Sequence, residues 1–281
     1  MIFQGEILPF EPIYGVPMLL LWIVTFLFCI ILIDAKLMSK KARIGIYLLI
    51  IFCGGIFLGG IPNAVMPIQQ LLISLGSRSD LGYLLPALIV LLVLLLTSLL
   101  IGRIFCGYIC PLGNLQELIS NFNFKSDLNT QKKVKYRIEV SPKLTTKIRW
   151  AFFGVLFLLA FVWGIVFLPE VNPLSGFEEF RRFFTFTITV PFLGLIIVII
   201  SSIFIYRPWC RFLCPFGAIS CFFANFAQAL YIRTEECTEC GLCEQLCPTQ
   251  EAFPESKKGE CYYCNRCVEI CPENAIKLNL D

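Results

Sequence analysis

The stretches CTECGLCEQLCP (237–248) and CYYCNRCVEICP (261–272) decide how this chain is read. Each is a C-x2-C-x2-C-x3-C-P run, a spacing that holds [4Fe–4S] clusters. The two-residue gaps let a tight loop present three thiolates to one face of a cuboidal cluster. The fourth cysteine is carried away by a proline that cannot continue the loop's hydrogen bonding. Each fourth cysteine is therefore expected to ligate the other cluster. The expected ligand sets are Cys237, Cys240, Cys243 and Cys271 for one cluster, and Cys261, Cys264, Cys267 and Cys247 for the second. Zinc sites favour separated Cys-x2-Cys pairs, so the duplicated run counts against zinc.

Around these runs the chain reads as a small module. Tyr231-Ile232 before the first run and residues 275–278 after the second suggest short strands, and the 249–260 linker is brief. The expectation is an α+β two-[4Fe-4S] ferredoxin-like domain over residues 231–281, with Tyr262 and Tyr263 packed on the clusters. Two clusters without a substrate pocket imply electron relay, not catalysis. The chain holds 15 cysteines and no histidine. Lack of histidine excludes bis-His haem, His-ligated zinc or non-haem iron, and a His-based proton shuttle. Thirteen cysteines lie at or after Cys106, and twelve of those fall in metal-type spacings. A disulfide scaffold is the weaker reading.

Upstream, the composition is that of a membrane protein. The chain is 57% hydrophobic and 15% charged, against roughly 25% charged in soluble domains. Its net charge of +3 is too small to argue for nucleic acid. Five apolar segments stand out: residues 17–33, 44–61, 83–105, 150–168 and 190–206. About 20 helical residues cross a hydrocarbon core. The first segment follows Glu6 and Glu11, with no Lys or Arg and no small-residue cleavage site, and reads as a helix instead of a signal peptide. Basic residues set the orientation. Lys36, Lys40, Lys41 and Arg43 follow the first segment, and a dense basic loop from Arg103 to Arg149 follows the third. The other two loops balance Arg78 against Asp80, and Arg181 and Arg182 against Glu170, Glu178 and Glu179. Residues 1–230 are thus expected to form an all-α membrane bundle of about five transmembrane helices. Its N-terminus lies outside and the terminal domain in the cytoplasm, where reducing conditions suit thiolates.

The bundle carries an internal two-helix repeat. RIFCGYICPLG (103–113) and RPWCRFLCPFG (207–217) match. Each closes a unit that opens at Arg43 or Arg149 and passes a loop with Pro62-Asn63 or Asn172-Pro173. Units of the same topology can be related by a pseudo-two-fold axis along the membrane normal. Cys106 and Cys110, like Cys210 and Cys214, are four apart and share a face if the helix continues. Pro111 and Pro215 then break the helix, and Gly113 and Gly217 release the turn. A pseudo-dimer brings the four thiolates together, an array that suits a third Fe–S cluster, zinc or copper. A redox-active dithiol and plain apolar packing are the other readings. Arg103 and Arg207 read as interfacial snorkelling anchors, or as counter-charges to thiolate-ligated clusters. Cys29, Cys53 and Cys221 read as packing residues.

A helical bundle without haem points to quinone as its lipid-soluble redox partner. Asn63, Gln69, Gln70, Glu178, Glu179, Arg181 and Arg182 are candidate contacts in the outer loops, with Glu178 or Glu179 as proton acceptor. Phe177, Phe180, Phe183 and Phe184 make the same stretch an interfacial stripe. The site could equally lie nearer the cytoplasmic motifs.

The conjunction of membrane helices, two Cys-x3-Cys-Pro motifs and a terminal two-cluster module resembles the NapH/MauN family over roughly residues 43–281. The membrane parts of the NosR and CcoG families look similar. The resemblance implies a quinol dehydrogenase or electron-transfer subunit feeding a partner oxidoreductase in a bacterial or archaeal cytoplasmic membrane. NapH-type proteins usually have four helices and an inside N-terminus, and segment 17–33 departs from that pattern. CcoG-like proteins are linked to copper handling, so a copper-reducing protein using the paired motifs is the alternative.

Overall fold

A computed structural model describes residues 40–77, 81–123, 140–181 and 188–279, with residues 27 and 138. Apart from residue 27, the first expected span, 17–33, lies outside the described residues, as do Cys29 and Arg182. Helix α1 (Lys40–Ile50) runs on through a π-helical stretch, Ile51–Phe57. Helices α2 (Val65–Ser77) and α3 (Leu81–Ile101) lead to a π-helical turn, Phe105–Ile109, and then α4 (Pro111–Asn123). The second half comprises α5 (Pro142–Trp163), short α6 (Leu168–Val171) and α7 (Glu178–Arg181), and α8 (Val190–Phe204). A second π-helical turn, Trp209–Leu213, leads to α9 (Pro215–Ala224). Pro111, Pro142 and Pro215 open their helices, where a missing N–H has no partner to lose. Helix α5 ends at Gly164, whose left-handed φ of 64° turns the next N–H, that of Ile165, back onto the Leu159 carbonyl at 3.2 Å.

The helices bury one face and expose another. Leu91 and Leu94 on α3, Leu156 and Ala160 on α5, and Leu195 and Val198 on α8 are buried. Ile89, Leu92 and Leu96, Phe157 and Phe161, and Ile197 and Ile200 point outward from the same helices. Such long exposed apolar rows exceed what a soluble surface carries. Helix α5 is the one helix among the described residues long and apolar enough to cross a membrane by length and composition. Residues Val190–Phe204 form a shorter apolar helix. It stops at Ile205, which is extended at φ −121° and ψ 136°, and Arg207 at φ 47° and Pro208 follow. One clear membrane-length helix is therefore described, not five.

The repeat is visible as a crossed packing. Helix α4 packs on α1 of its own half and α8 of the other, while α9 packs on α5 of its own half and α3 of the other. The cysteine turns that precede α4 and α9 are thereby drawn together. The terminal module adds β1 (Leu230–Arg233), α10 (Leu242–Leu246), α11 (Arg266–Ile270) and β2 (Ile276–Asn279). The strands pair antiparallel with Tyr231 opposite Leu278, where the sequence led us to expect them. Its two cysteine loops copy each other. Positive φ falls at Glu239 and Tyr263, at Gly241 and Asn265, and at Gln250 and Asn274.

Candidate iron–sulfur relay

Four cysteines precede a proline, and the proline ring pushes the residue before it towards extended backbone. Cys110, Cys214, Cys247 and Cys271 adopt φ/ψ of −71/119°, −70/115°, −72/114° and −72/113°. The sulfur of each then folds back onto a backbone N–H. Cys214 Sγ accepts from Gly217 at 3.3 Å, Cys247 Sγ from Glu251 at 3.2 Å and Cys271 Sγ from Ala275 at 3.3 Å. Cys110 receives the Gly113 N–H in the same way. N–H donors aimed at sulfur favour its anionic form. The two bundle cysteines thus share backbone angles with the two in the terminal module, their sulfurs accepting from the third residue on instead of the fourth.

Within the module a cavity opens between Cys237, Cys240, Cys243 and Cys271, with Arg233 and Ile276 on its walls. Its lining brings three cysteines of the first run beside the last cysteine of the second. Burial pushes the Cys267 thiol up, and Cys264, Cys261, Cys247 and Cys243 push it further, so sulfurs of both expected sets lie near one another. Four thiol donors about one cavity are the soft donor set that an iron–sulfur cluster takes. Among the described residues no group of three or more Cys, Asp or Glu side chains is arranged to hold a single metal ion. The copper reading gains no support.

Cys106, Cys110, Cys210 and Cys214 are all buried. Burial raises the Cys110 thiol first, then Cys210, Cys106 and Cys214 raise it further, which marks convergence of both halves. The turns that carry them are π-helical, not α-helical, and Cys110 N–H reaches Phe105 O instead of continuing an α ladder. Gly113 and Gly217 also differ from expectation. Both lie inside helices, and a Cβ at either would press on the carbonyl oxygen of Cys106 or Cys210. The glycines let each helix lie directly against its own turn.

The arginines depart furthest from the sequence reading. Arg103 and Arg207 are fully buried, not snorkelling at an interface. Arg103 Nη1 donates to Glu260 Oε2 at 2.7 Å, and Arg149 Nη2 donates to Glu260 Oε1 at 2.5 Å. Arg207 Nε donates to Glu117 Oε2 at 2.9 Å, and Arg266 Nη2 to Glu117 Oε1 at 2.6 Å. Burial opposes both carboxylates' ionisation, but Arg266 and Arg207 hold Glu117 at about 2, and Arg103 and Arg149 hold Glu260 at about 2. Between the two groups lies Tyr262, with the Arg103 and Arg207 guanidinium carbons 4.4 and 4.3 Å from its ring centroid. Tyr262 therefore packs on arginines.

Glu260 closes what the sequence offered as a linker, and it clamps the module to the bundle together with Arg266. Arg43 adds a bond to Cys264 O at 2.8 Å and an ion pair with Glu269. Tyr108 Oη donates to Tyr263 O at 2.6 Å. A Cβ at Gly107 would collide with the Tyr262 carbonyl, so the cluster loop sits directly on the first cysteine turn. Cys221 is more than packing: its thiol donates to Glu260 Oε1 at 3.3 Å. Cys53 is exposed. Glu117, Glu260 and Arg266 were absent from the sequence reading. The aligned repeat offered one signal, since Glu117 and Cys221 occupy the same place after their motifs and only one half carries its own acid.

The outer-loop candidates separate into roles. Asn63 Oδ1 accepts from Val65 N at 2.9 Å and Asn172 Oδ1 from Leu174 N at 3.2 Å, so both are turn caps in matching places. Glu178 is exposed and Glu179 buried. Gln69 and Gln70 are half-buried on α2.

Comparison with known proteins agrees with this chemistry. A family described as 4Fe-4S binding domain matches residues 83–129 and 187–232, the two stretches that contain the paired motifs. A second family of the same description matches 230–250 and 257–277. YccM of Escherichia coli, named for electron transport, is 28% identical over 58% of this chain and 46% of its own. Protein MJ0750 of Methanocaldococcus jannaschii is 30% identical over 62% of this chain and 68% of its own. The methylamine utilization ferredoxin-type protein MauN of Paracoccus denitrificans is 27% identical over 62% and 59%. The chain thus spans between about half and two thirds of the length of these relatives. No solved structure matches it. Fold, cysteine geometry and relatives define an iron–sulfur electron-transfer protein of ferredoxin type. The chain belongs to the NapH/MauN-type membrane ferredoxin family.

Proposed function

We propose that this protein is a multi-pass membrane relay that passes electrons between the quinone pool and a partner oxidoreductase. Its cytoplasmic module holds two [4Fe–4S] clusters, one on Cys237, Cys240, Cys243 and Cys271 and one on Cys261, Cys264, Cys267 and Cys247. Cys106, Cys110, Cys210 and Cys214 hold a further iron–sulfur centre between bundle and module. The observation that carries the reading is the shared backbone of Cys110, Cys214, Cys247 and Cys271, with an N–H donor at each sulfur. The clusters supply one-electron carriers. The chain's part is to bury the thiols, to aim N–H groups at them and to fix the module against the bundle through Glu260, Arg266 and Arg43. The exposed apolar rows on α3, α5 and α8 support a lipid-facing bundle, and the basic loops support a cytoplasmic module.

The test is reduction by quinol. Protein in lipid vesicles, with its partner complex restored, should show cluster reduction when a short-chain quinol is added, followed by EPR. Clusters that stay oxidised with quinol yet reduce with dithionite would overturn the quinone reading.

A further inference from the structure

We propose that Arg103 and Arg207 form a crossed pair that compensates the negative charge of the centre held by Cys106, Cys110, Cys210 and Cys214, and so raises its reduction potential. The inference rests on the reading that those four thiols hold an iron–sulfur centre. Each arginine precedes its own motif by three residues but reaches across to the other. Arg207 Nη1 donates to Cys106 O at 2.6 Å, and a Cβ at Gly113 would lie 3.4 Å from the same nitrogen. Arg103 Nη2 lies 3.0 Å from where a Cβ at Gly217 would stand, beside Cys214. The pseudo-symmetry that crosses α4 and α9 thus also crosses the guanidinium groups.

Two observations say that these cations face something anionic besides protein. First, Arg103 Nη2 and Arg207 Nη2 are buried and have no hydrogen-bond partner among the described residues. Second, neither arginine has a carboxylate to itself: Arg103 shares Glu260 with Arg149, and Arg207 shares Glu117 with Arg266. An uncompensated buried guanidinium costs several kcal/mol. Four thiolates round a cubane core form a net anion in either redox state, and reduction adds one more negative charge. Buried cations beside that core favour the reduced form, because the low dielectric leaves their field unscreened. Held there, such a centre would exchange single electrons with a quinol on one side and the neighbouring cluster on the other, with no bond made or broken in the protein. Glu260 and Glu117 fix where the two guanidinium groups point, and Tyr262 holds them apart.

The experiment is an EPR redox titration of intact, detergent-purified protein, with iron counted in each sample. Arg103→Gln and Arg207→Gln should each lower the midpoint of the third centre by at least tenfold in its reduction equilibrium, about 59 mV for one electron. The cluster on Cys237, Cys240, Cys243 and Cys271 should not move. Arg207→Lys keeps the charge and should recover most of the shift. Glu117→Gln removes a buried anion and should move the third midpoint upward, which a purely structural role would not produce. If the glutamine variants of the arginines fail to accumulate, Glu117→Gln decides: a rise supports the inference, and no change or a fall overturns it. A third centre whose midpoint ignores Arg103→Gln and Arg207→Gln also overturns it. Wild-type protein with no third centre overturns the underlying reading instead, which keeps the two failures distinct.

Discussion

Replacing Glu260 by glutamine should release the module from the bundle. The carboxylate is buried and accepts from Arg103 at 2.7 Å and from Arg149 at 2.5 Å. Thr146, Cys221 and Tyr262 surround the same oxygens. Glutamine keeps the size but removes the charge that both guanidinium groups share. Breaking a buried ion pair on one side costs roughly 3–5 kcal/mol, because the remaining charge stays desolvated. At about 1.4 kcal/mol per factor of ten, the docked state loses roughly two to four powers of ten in its equilibrium. Hydrogen exchange by mass spectrometry reads this directly. Amides of 259–267 and of the 103–113 turn should gain exchange together, while the 44–50 stretch of α1 stays protected. Glu236→Gln is the control, since the Glu236–Lys277 pair is exposed at 3.5 Å and contributes little. Equal exchange in Glu260→Gln and Glu236→Gln would refute the claim that this buried carboxylate clamps the two parts.

Acid should not undock the module until well below the usual carboxylate range. Glu117 is held at about 2 in the fold, below roughly 4.3 in an unfolded chain. Its contribution is complete above the unfolded value and fades as pH falls towards 2; protection of α4 amides should therefore be unchanged between pH 7 and pH 5, and a loss there would contradict it. Gly107→Ala should separate the cluster loop from the first turn, because its Cβ meets the Tyr262 carbonyl, whereas Gly154→Ala meets nothing within 4 Å and should be neutral or stabilising; thermal unfolding of the two variants tests this. Cys271→Ser should disturb the cluster shared with Cys237, Cys240 and Cys243, and Cys247→Ser the other, so each EPR spectrum should lose a different component; loss of the same component from both would refute the crossed ligand sets.

The sequence disclosed local features well and long-range partnerships poorly. The two cysteine runs, the short strands and the motif repeat were legible because each depends on spacing within a few residues. The snorkelling reading of Arg103 and Arg207 failed because an arginine at a helix end looks alike whether it snorkels or is buried. The difference is made by Glu117 and Glu260, which lie far along the chain and are marked by no motif of their own. The π-helical turns were hidden for a similar reason. Cysteines four apart suggest an α-helical face, and only packing of α4 and α9 against the turns shows that the ladder has widened. Gly113 and Gly217 looked like turn residues because they follow Cys-Pro, yet what they supply is room for a carbonyl oxygen. Asn63 and Asn172, taken as redox-site candidates or loop markers, proved to be backbone caps. The arginines are explained by carboxylates far along the chain, whereas the glycines and asparagines act on backbone groups within seven residues of themselves.

The central claim is that three thiolate-ligated centres form one relay, with the bundle cysteines as its inner member. It is tested most directly by an iron count on intact purified protein, paired with EPR of the reduced sample. The account predicts about twelve irons per chain, falling to about eight when Cys106, Cys110, Cys210 and Cys214 are replaced by serine, with the module's signals retained. About eight irons in the wild type, unchanged by those four substitutions, would contradict it.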